Sequence, residues 1–195
     1  ELARNCKVVT QMGNQGSASA SLRRCTEVIK AGALGQIREI YAWGIGVTAN
    51  EGSAKDEEPI PPGLNWDLWV GTSAMRPFNR TYHPYNWRRW FDFGNGGMAD
   101  FCCHAINLPM RALDLGYPEE IVINMKDGRQ DPDKAAVEFH FAARGSLPPV
   151  TLFWQGNGKP PDTAIQPLVD TYTAKNAKTP DGLMIVGEKG CIHTS

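Results

Sequence analysis

Residues 37–47, IREIYAWGIGV, alternate between large side chains and almost none. Successive side chains of a β-strand point to opposite faces, so this period of two predicts a strand. One face carries the large side chains Tyr41, Trp43, Ile45 and Val47, and the other carries only Ala42, Gly44 and Gly46. Because a bare face lets another backbone approach closely, we expect a helix to pack tightly on that side.

The same alternation recurs in three later segments, EEIVINM (119–125), KAAVEFHFAA (134–143) and PPVTLFWQG (148–156). Proline or glycine punctuates the gaps, as is typical of turns between antiparallel strands. A short strand is predicted over 7–12, and a last strand begins in LMIVGEKGCIHTS at 183–195.

Apolar residues at helical spacing predict a helix within 17–35 that ends at Gly32, and another over about 97–113. NWDLWVG (65–71) predicts a helical turn, whereas 48–62 and 156–179 read as polar, Pro-containing loops. This order of elements indicates the α+β class: a predominantly antiparallel open sheet with helices on one face.

The charge balance excludes some functions. The chain has 20 Lys plus Arg against 21 Asp plus Glu, a net charge of −1, whereas nucleic-acid and membrane-surface binders usually carry a basic excess. No apolar run approaches the roughly 20 residues that span a bilayer. We therefore expect neither a nucleic-acid nor a membrane partner, and a cytoplasmic location, with export left open.

The five cysteines do not resemble a disulfide framework, because their number is odd and their spacing scattered. Adjacent Cys102 and Cys103 precede His104, but paired zinc ligands are usually separated by two to four residues. We expect no metal, and we interpret the cysteines as buried thiols.

Asp100 and His104 are four residues apart in the segment FGNGGMADFCCHAINL (93–108), and helical spacing places both on one face. A solvated helix face would have the same pattern. Glycines at 94, 96 and 97 nevertheless permit close approach of a ligand. An ionised Asp100 could make the His104 imidazole more basic, able to accept a proton from an alcohol.

Two further segments could bind ligands. TYHPYNWRRWFDFG (81–94) mixes aromatic and basic side chains, which suits a sugar, a single-stranded nucleic acid or simply a packed loop edge. TQMGNQGSAS (10–19) places a Gly–Asn–Gln–Gly turn before a helix, but its glycines do not form a GxGxxG fingerprint. Each signal is weak by itself.

Taken in order, four segments resemble the Gfo/Idh/MocA family, the glucose–fructose oxidoreductase and inositol dehydrogenase group. They are VTQMGNQG (9–16), RRCTEVIKAGALGQIREIYAW (23–43), PPGLNWDLWVG (61–71) and YHPYNWRRWFDFGNGGMADFCCHAINLPMRALDLG (82–116). The resemblance implies a Rossmann domain for NAD or NADP followed by an α/β domain with a large open sheet. By that resemblance, residues 1–16 correspond to the end of the Rossmann domain and 17–195 to the second domain, truncated at its end.

The resemblance also implies site residues. The family's Asp-x-x-x-His motif maps onto Asp100 and His104, making His104 the acid–base residue for a sugar, cyclitol or polyol hydroxyl and Asp100 its polarising partner. The implied substrate-binding residues are Tyr82, His83, Trp87, Arg88 and Asn107, and the implied cofactor-binding residues are Asn14 and Gln15. The phosphate-binding fingerprint and the family's Glu-Lys-Pro lysine are absent, so we expect the isolated chain to be inactive as a dehydrogenase.

This sequence departs from the family pattern at three positions. Ser17 replaces a frequent histidine, Cys102 a frequent glycine and Asn107 a frequent aspartate, which indicates a different substrate. Two alternative functions stay open: a glycoside hydrolase assisted by tightly held NAD, and a noncatalytic carbohydrate-binding or assembly module.

A homo-oligomer is expected through the open face of the sheet. Relatives commonly pair there, and large side chains on an exposed sheet would need a cover. Those side chains are Tyr41, Trp43, Phe139 and Trp154.

Overall fold

The computed structural model describes residues 1–11, 13–44, 53–94, 96–124, 136–156, 165–173 and 181–194. Six strands form one sheet in the order β2-β3-β4-β1-β5-β6. The strands are β1 Ile37–Trp43, β2 Glu120–Asn124, β3 Ala136–Phe141, β4 Val150–Gln155, β5 Gly182–Gly187 and β6 Gly190–Thr194. All neighbouring pairs are antiparallel except β1 with β4. The predicted α+β class and mainly antiparallel open sheet are confirmed.

The helical elements are short. The α-helices are α1 Leu2–Asn5, α2 Ala20–Lys30, α3 Trp66–Val70, α4 Cys103–Ala105, α5 Asn107–Ala112 and α6 Gln166–Thr173. Single turns of 3₁₀-helix cover Gln15–Ala18 and Asn86–Arg89, and Met98–Cys102 form a π-helix. The helix predicted within 17–35 is confirmed as α2: the Ser19 side chain caps its start by accepting a hydrogen bond from the Leu22 amide, and Gly32 follows its end with a φ of +76°.

A helical segment packs on the face of β1 that carries only small side chains. A Cβ built on Gly44 would lie 3.3 Å from the Phe101 Cβ of the π-helix and 2.8 Å from the Trp154 ring, so only glycine fits this contact. Ala42 is fully buried beside residues of α2 and α5 in the main core. The absence of side chains on this face, visible in the sequence, therefore predicts the main layer contact correctly.

The other face of the sheet is partly covered by α6, an element that was predicted as a loop. Ile165 and Val169 pack there against Tyr41, Trp43 and Met184. A helix of eight residues with little intrinsic stability forms because tertiary packing stabilises it, and the local sequence gives no such signal.

The side chains that suggested an exposed sheet face are not exposed. Tyr41 and Trp43 are only 4% and 3% exposed beneath α6. Trp154 and Phe139 lie on the opposite face, in or against the main core. These four side chains therefore give no reason for a partner on the open face, and the homo-oligomer stays a prediction.

The single helix predicted over 97–113 is wrong in detail, because it is interrupted. The π-helix Met98–Cys102 leads into α4, Ile106 follows with a φ of −82° and a ψ of −3°, and α5 begins at Asn107. Pro109 explains the break: proline has no amide hydrogen to donate to the Ala105 carbonyl, and its ring crowds that carbonyl. The segment is therefore not the uniform α-helix that its sequence spacing suggests.

Two predicted strands also differ. Residues 8–11 of the expected 7–12 strand are irregular, and Val9 is 99% exposed, since no strand among the described residues pairs with them. The last strand is a hairpin, in which β5 and β6 are joined through Glu188 and Lys189. Glycines at 187 and 190, on either side of that pair, were the overlooked signal.

Candidate functional site

The segment 96–112 has one side toward the core and one toward solvent. Cys102, Leu108 and Ala112 belong to the main core, whereas Cys103 and His104 are exposed. Burial raises the pKa of the Cys102 thiol to about 12, and the charge of Cys103 adds to this effect. Cys102 is thus the buried thiol that was expected, but Cys103 and Cys6 are exposed.

A cleft of about 380 Å³ lies on the solvent side of this segment. Its walls come from three stretches of chain, and its lining is Gly13, Asn14, Trp87, Arg88, Gly94, Gly96, Ala99, Asp100, Cys103 and His104. The structure therefore brings together five of the predicted site residues: both members of the Asp-x-x-x-His motif, Trp87, Arg88 and Asn14. Concave sites with a few converging polar groups are where small ligands bind.

Asp100 pairs with Arg88. The Arg88 Nε lies 2.8 Å from the Asp100 Oδ2, and the two side chains are 20% and 28% exposed. Nε and Nη1 of Arg88 are shielded from solvent and make no hydrogen bond, so the Nε contact with Asp100 is an ion pair without hydrogen-bond geometry. The guanidinium also lies 3.9 Å from the centre of the Tyr85 ring, a cation–π contact.

His104 contacts a different partner. Its Nδ1 lies 3.2 Å from the Oδ1 of Asn14, and no hydrogen bond joins His104 to Asp100 among the described residues. The same Asn14 oxygen accepts a hydrogen bond from the Nδ2 of Asn107 at 3.3 Å, and the Nδ2 of Asn14 donates to the Cys103 carbonyl at 3.4 Å. Asn14 thus links the residue 13–18 turn to the helical segment.

Asn107 lies under the cleft. It is 9% exposed and donates a 2.8 Å hydrogen bond to the Ser17 hydroxyl, while Arg111 donates to the Ser17 carbonyl. Two of the three positions at which the sequence departs from the family pattern, Ser17 and Asn107, therefore contact each other. Asn107 is not in the cleft lining, so the structure gives it a supporting place beneath the cleft.

Tyr82 and His83 are not brought to the cleft. Tyr82 is 1% exposed and packs with Trp66, Phe78 and Trp90 in a separate aromatic cluster, and its hydroxyl accepts a hydrogen bond from the Ala54 amide at 2.6 Å. His83 contacts the edge of Trp69. For these two residues the packed-loop interpretation fits the structure better than substrate binding.

Gly94, one of the three glycines expected from the sequence to permit close approach, lines the cleft. A Cβ at this position would lie 2.6 Å from the Arg88 Cα and 3.0 Å from the Trp87 ring. The glycine is therefore what allows the Trp87–Arg88 turn to lie against the start of the helical segment.

Gln15 lies outside the main cleft. It is exposed and lines a shallow depression with Gln11, Gly13, Asn14, Ser17 and Ala18. His104 also lines a second cleft of about 450 Å³ between α2 and the ends of β1, β5 and β6. Across the described ranges no group of three His, Cys, Asp or Glu could hold a metal ion, and no helix in them is long and apolar enough to cross a membrane.

The family model of the Gfo/Idh/MocA oxidoreductases, C-terminal alpha/beta domain, matches residues 33–142. No curated protein matches the chain. Among solved structures, the fold is similar to GenD2 from gentamicin A biosynthesis, solved in complex with NAD, with 12% identity and a TM-score of 0.53 over 98% of this chain and 41% of that one.

Two transcriptional regulators have the same fold. A super-repressor mutant of Gal80p from Saccharomyces cerevisiae is 15% identical, with a TM-score of 0.51 over 98% of this chain and 42% of that one. Gal80p from Kluyveromyces lactis is 16% identical, with a TM-score of 0.50 over 98% and 40%. At these identities the likeness shows the fold alone, and the chain spans about two fifths of each of these structures.

Proposed function

Since the chain belongs to the Gfo/Idh/MocA family of oxidoreductases, we propose that it forms the substrate side of an NAD- or NADP-dependent enzyme that oxidises a hydroxyl of a sugar, cyclitol or related polyol. The observation that carries this proposal is the exposed His104 in one cleft with Trp87, Arg88 and Asp100. Cofactor, substrate and activity belong to the proposal, because the family and the fold alone do not fix them.

His104 is the group that exchanges a proton with the substrate. Oxidation of an alcohol removes a hydride from carbon and a proton from oxygen, and a neutral imidazole can accept that proton near neutral pH. A bound nicotinamide supplies the hydride acceptor. The His104 ring lies at the cleft wall with its Nδ1 turned to Asn14, which leaves Nε2 as the nitrogen for the substrate hydroxyl.

The other cleft residues suit a polyhydroxylated ligand. Trp87 is 36% exposed and offers an aromatic surface for the C–H face of a sugar ring. Arg88 supplies donors and Asp100 supplies acceptors within the same wall, so adjacent hydroxyls could bind both. Asp100 therefore acts in this proposal through Arg88 and the substrate, instead of polarising His104 directly.

The described residues could contact only a small part of a bound dinucleotide. The described residues contain no glycine-rich turn between a strand and a helix of the kind that cradles a pyrophosphate. Gln15 is exposed at the rim of the residue 13–18 turn, where its amide would contact the cofactor. In this proposal the phosphates and ribose bind outside the residues that the structure describes.

The test is substitution of His104 by Gln in the full-length protein, with His140→Gln on β3 as the matched control outside the cleft. Formation of reduced nicotinamide is followed with NAD and with NADP against a panel of sugars, cyclitols and polyols. We expect His104→Gln to lower kcat by about 10²–10⁴-fold and the control to change it little, because general acid–base catalysis has that magnitude. Full activity of His104→Gln would refute the catalytic role of His104, whereas no activity of the unmodified protein on any of these substrates would favour a noncatalytic binding module.

A further inference from the structure

We propose that Asn14, and not Asp100, fixes the tautomer of His104, so that Nδ1 carries the hydrogen and Nε2 is the only nitrogen that exchanges a proton. Asn14 is then a positioning residue, since it touches the catalytic histidine and not the substrate. The catalytic consequence rests on the proposed function, but the tautomer itself can be measured without any substrate.

The first step is the orientation of the Asn14 amide. One end of this side chain lies 3.4 Å from the backbone carbonyl of Cys103. A carbonyl oxygen can only accept a hydrogen bond, so the NH₂ group must be at this end. The rotated amide would bring two oxygens together. The Cys103 carbonyl therefore fixes which end of Asn14 faces His104.

The second step follows from the first. The Asn14 Oδ1 faces His104 at 3.2 Å from Nδ1, and an amide oxygen can only accept. Nδ1 must then be the protonated nitrogen of the neutral ring, since two lone pairs would otherwise meet. The Nε2 lone pair remains available on the other side of the ring.

The contacts of a buried neighbour agree with this orientation. Asn107, 9% exposed, has its Nδ2 within 2.8 Å of the Ser17 hydroxyl and 3.3 Å of the Asn14 Oδ1. An NH₂ group has two hydrogens, so Asn107 can donate to both acceptors at once. A rotated Asn14 amide would place two NH₂ groups against each other.

The backbone explains why asparagine stands here. Asn14 has a φ of +77° and a ψ of +61°, the left-handed conformation that asparagine tolerates better than most non-glycine residues. Its short side chain then reaches the helical segment 90 residues further along the chain. Asp100 is meanwhile held by Arg88.

The experiment measures the ring-nitrogen chemical shifts of His104 by ¹⁵N NMR in the full-length protein. The chain has only four histidines, so comparison with His104→Gln assigns the signal. The variants are Asn14→Gly, which accepts the positive φ without strain, and Asn14→Asp, which keeps an acceptor. Asn124→Ala is the control, since the Asn124 amide contacts Glu138 on the sheet.

In the unmodified protein and in Asn124→Ala we expect the Nδ1–H form. Asn14→Gly should shift His104 toward the Nε2–H form and lower kcat on the order of tenfold with little change in KM, since the base is misoriented but present. Asn14→Asp should restore the Nδ1–H form and move the acid limb of the kcat–pH profile to higher pH, because a carboxylate stabilises the imidazolium.

The outcomes separate the two proposals. An Nε2–H form in the unmodified protein, or an unchanged tautomer in Asn14→Gly, would overturn the role of Asn14 whatever the activity. A tautomer that follows Asn14 in a protein with no oxidoreductase activity would keep this inference and reject the proposed function. Loss of the Nδ1–H form in Asn124→Ala would show a general effect of substitution and also overturn it.

Discussion

Two polar contacts lie one turn apart on the same helical segment and differ in almost every respect. Arg88 and Asp100 are oppositely charged, half-buried and 2.8 Å apart, with a tyrosine ring against the guanidinium. His104 and Asn14 meet through a neutral amide at 3.2 Å, and the histidine is exposed. The first contact holds a charge in place, whereas the second orients a ring that stays accessible to a ligand.

The difference shows that a four-residue spacing in the sequence does not establish a contact between the two side chains. Asp100 and His104 are neighbours in an ideal α-helix. Here Asp100 sits in the π-helix, whose turns are wider, and His104 sits in α4. Each side chain then takes a partner from a different loop. The motif residues line the same cleft without forming the dyad that their spacing suggests.

The largest effect is expected from removing the charges of the Arg88–Asp100 pair. Arg88→Ala leaves Asp100 without its partner, and we expect about 1–3 kcal/mol of lost stability, between the values for exposed and buried pairs. Asp100→Asn should raise KM while leaving the pH midpoint of kcat unchanged, if Asp100 acts through Arg88. Denaturant titration of both single variants and the double variant gives the coupling energy, and a moved pH midpoint in Asp100→Asn would restore the direct dyad.

A smaller effect is expected from Gly94→Ala. This variant tests whether the Arg88–Asp100 contact depends on the close approach of the backbone at Gly94. The new methyl group would lie 2.6 Å from the Arg88 Cα, so the chain must shift. Overpacking of this kind costs about 1–3 kcal/mol, and we expect a value near the lower end because the loop is at the surface. Gly13→Ala is the control on the other cleft wall, where a Cβ meets nothing within 4 Å. Equal thermal stability of the two variants would contradict the contact.

The smallest effect is expected from a change beside the neutral contact of His104 with Asn14. Ser17→Ala removes the hydroxyl that accepts from Asn107 and leaves a buried NH₂ group with one acceptor fewer. A hydrogen bond of this kind contributes about 1 kcal/mol. Ser146→Ala, at an exposed loop position, should change the free energy of unfolding far less. A stability equal to that of this control would show that Asn107 does not depend on Ser17.

Much of the fold could be predicted because its signals are local. The strands β2, β3 and β4 are confirmed, as is the helix contact on Ala42 and Gly44. The helix α6 and the break before Asn107 were missed. The first depends on distant apolar partners, and the second on how a proline inside a helical pattern is accommodated.

The sequence by itself determined which residues are available for chemistry, the strand pattern and the segments that identify the family. Tertiary structure decided that Asp100 pairs with Arg88 and that His104 contacts Asn14. It also decided that Tyr82 is buried in an aromatic cluster. The physical reason is the distance along the chain over which each interaction acts. Strand and helix periods depend on neighbouring residues, whereas the partner of His104 lies 90 positions away and is selected by packing of the whole domain.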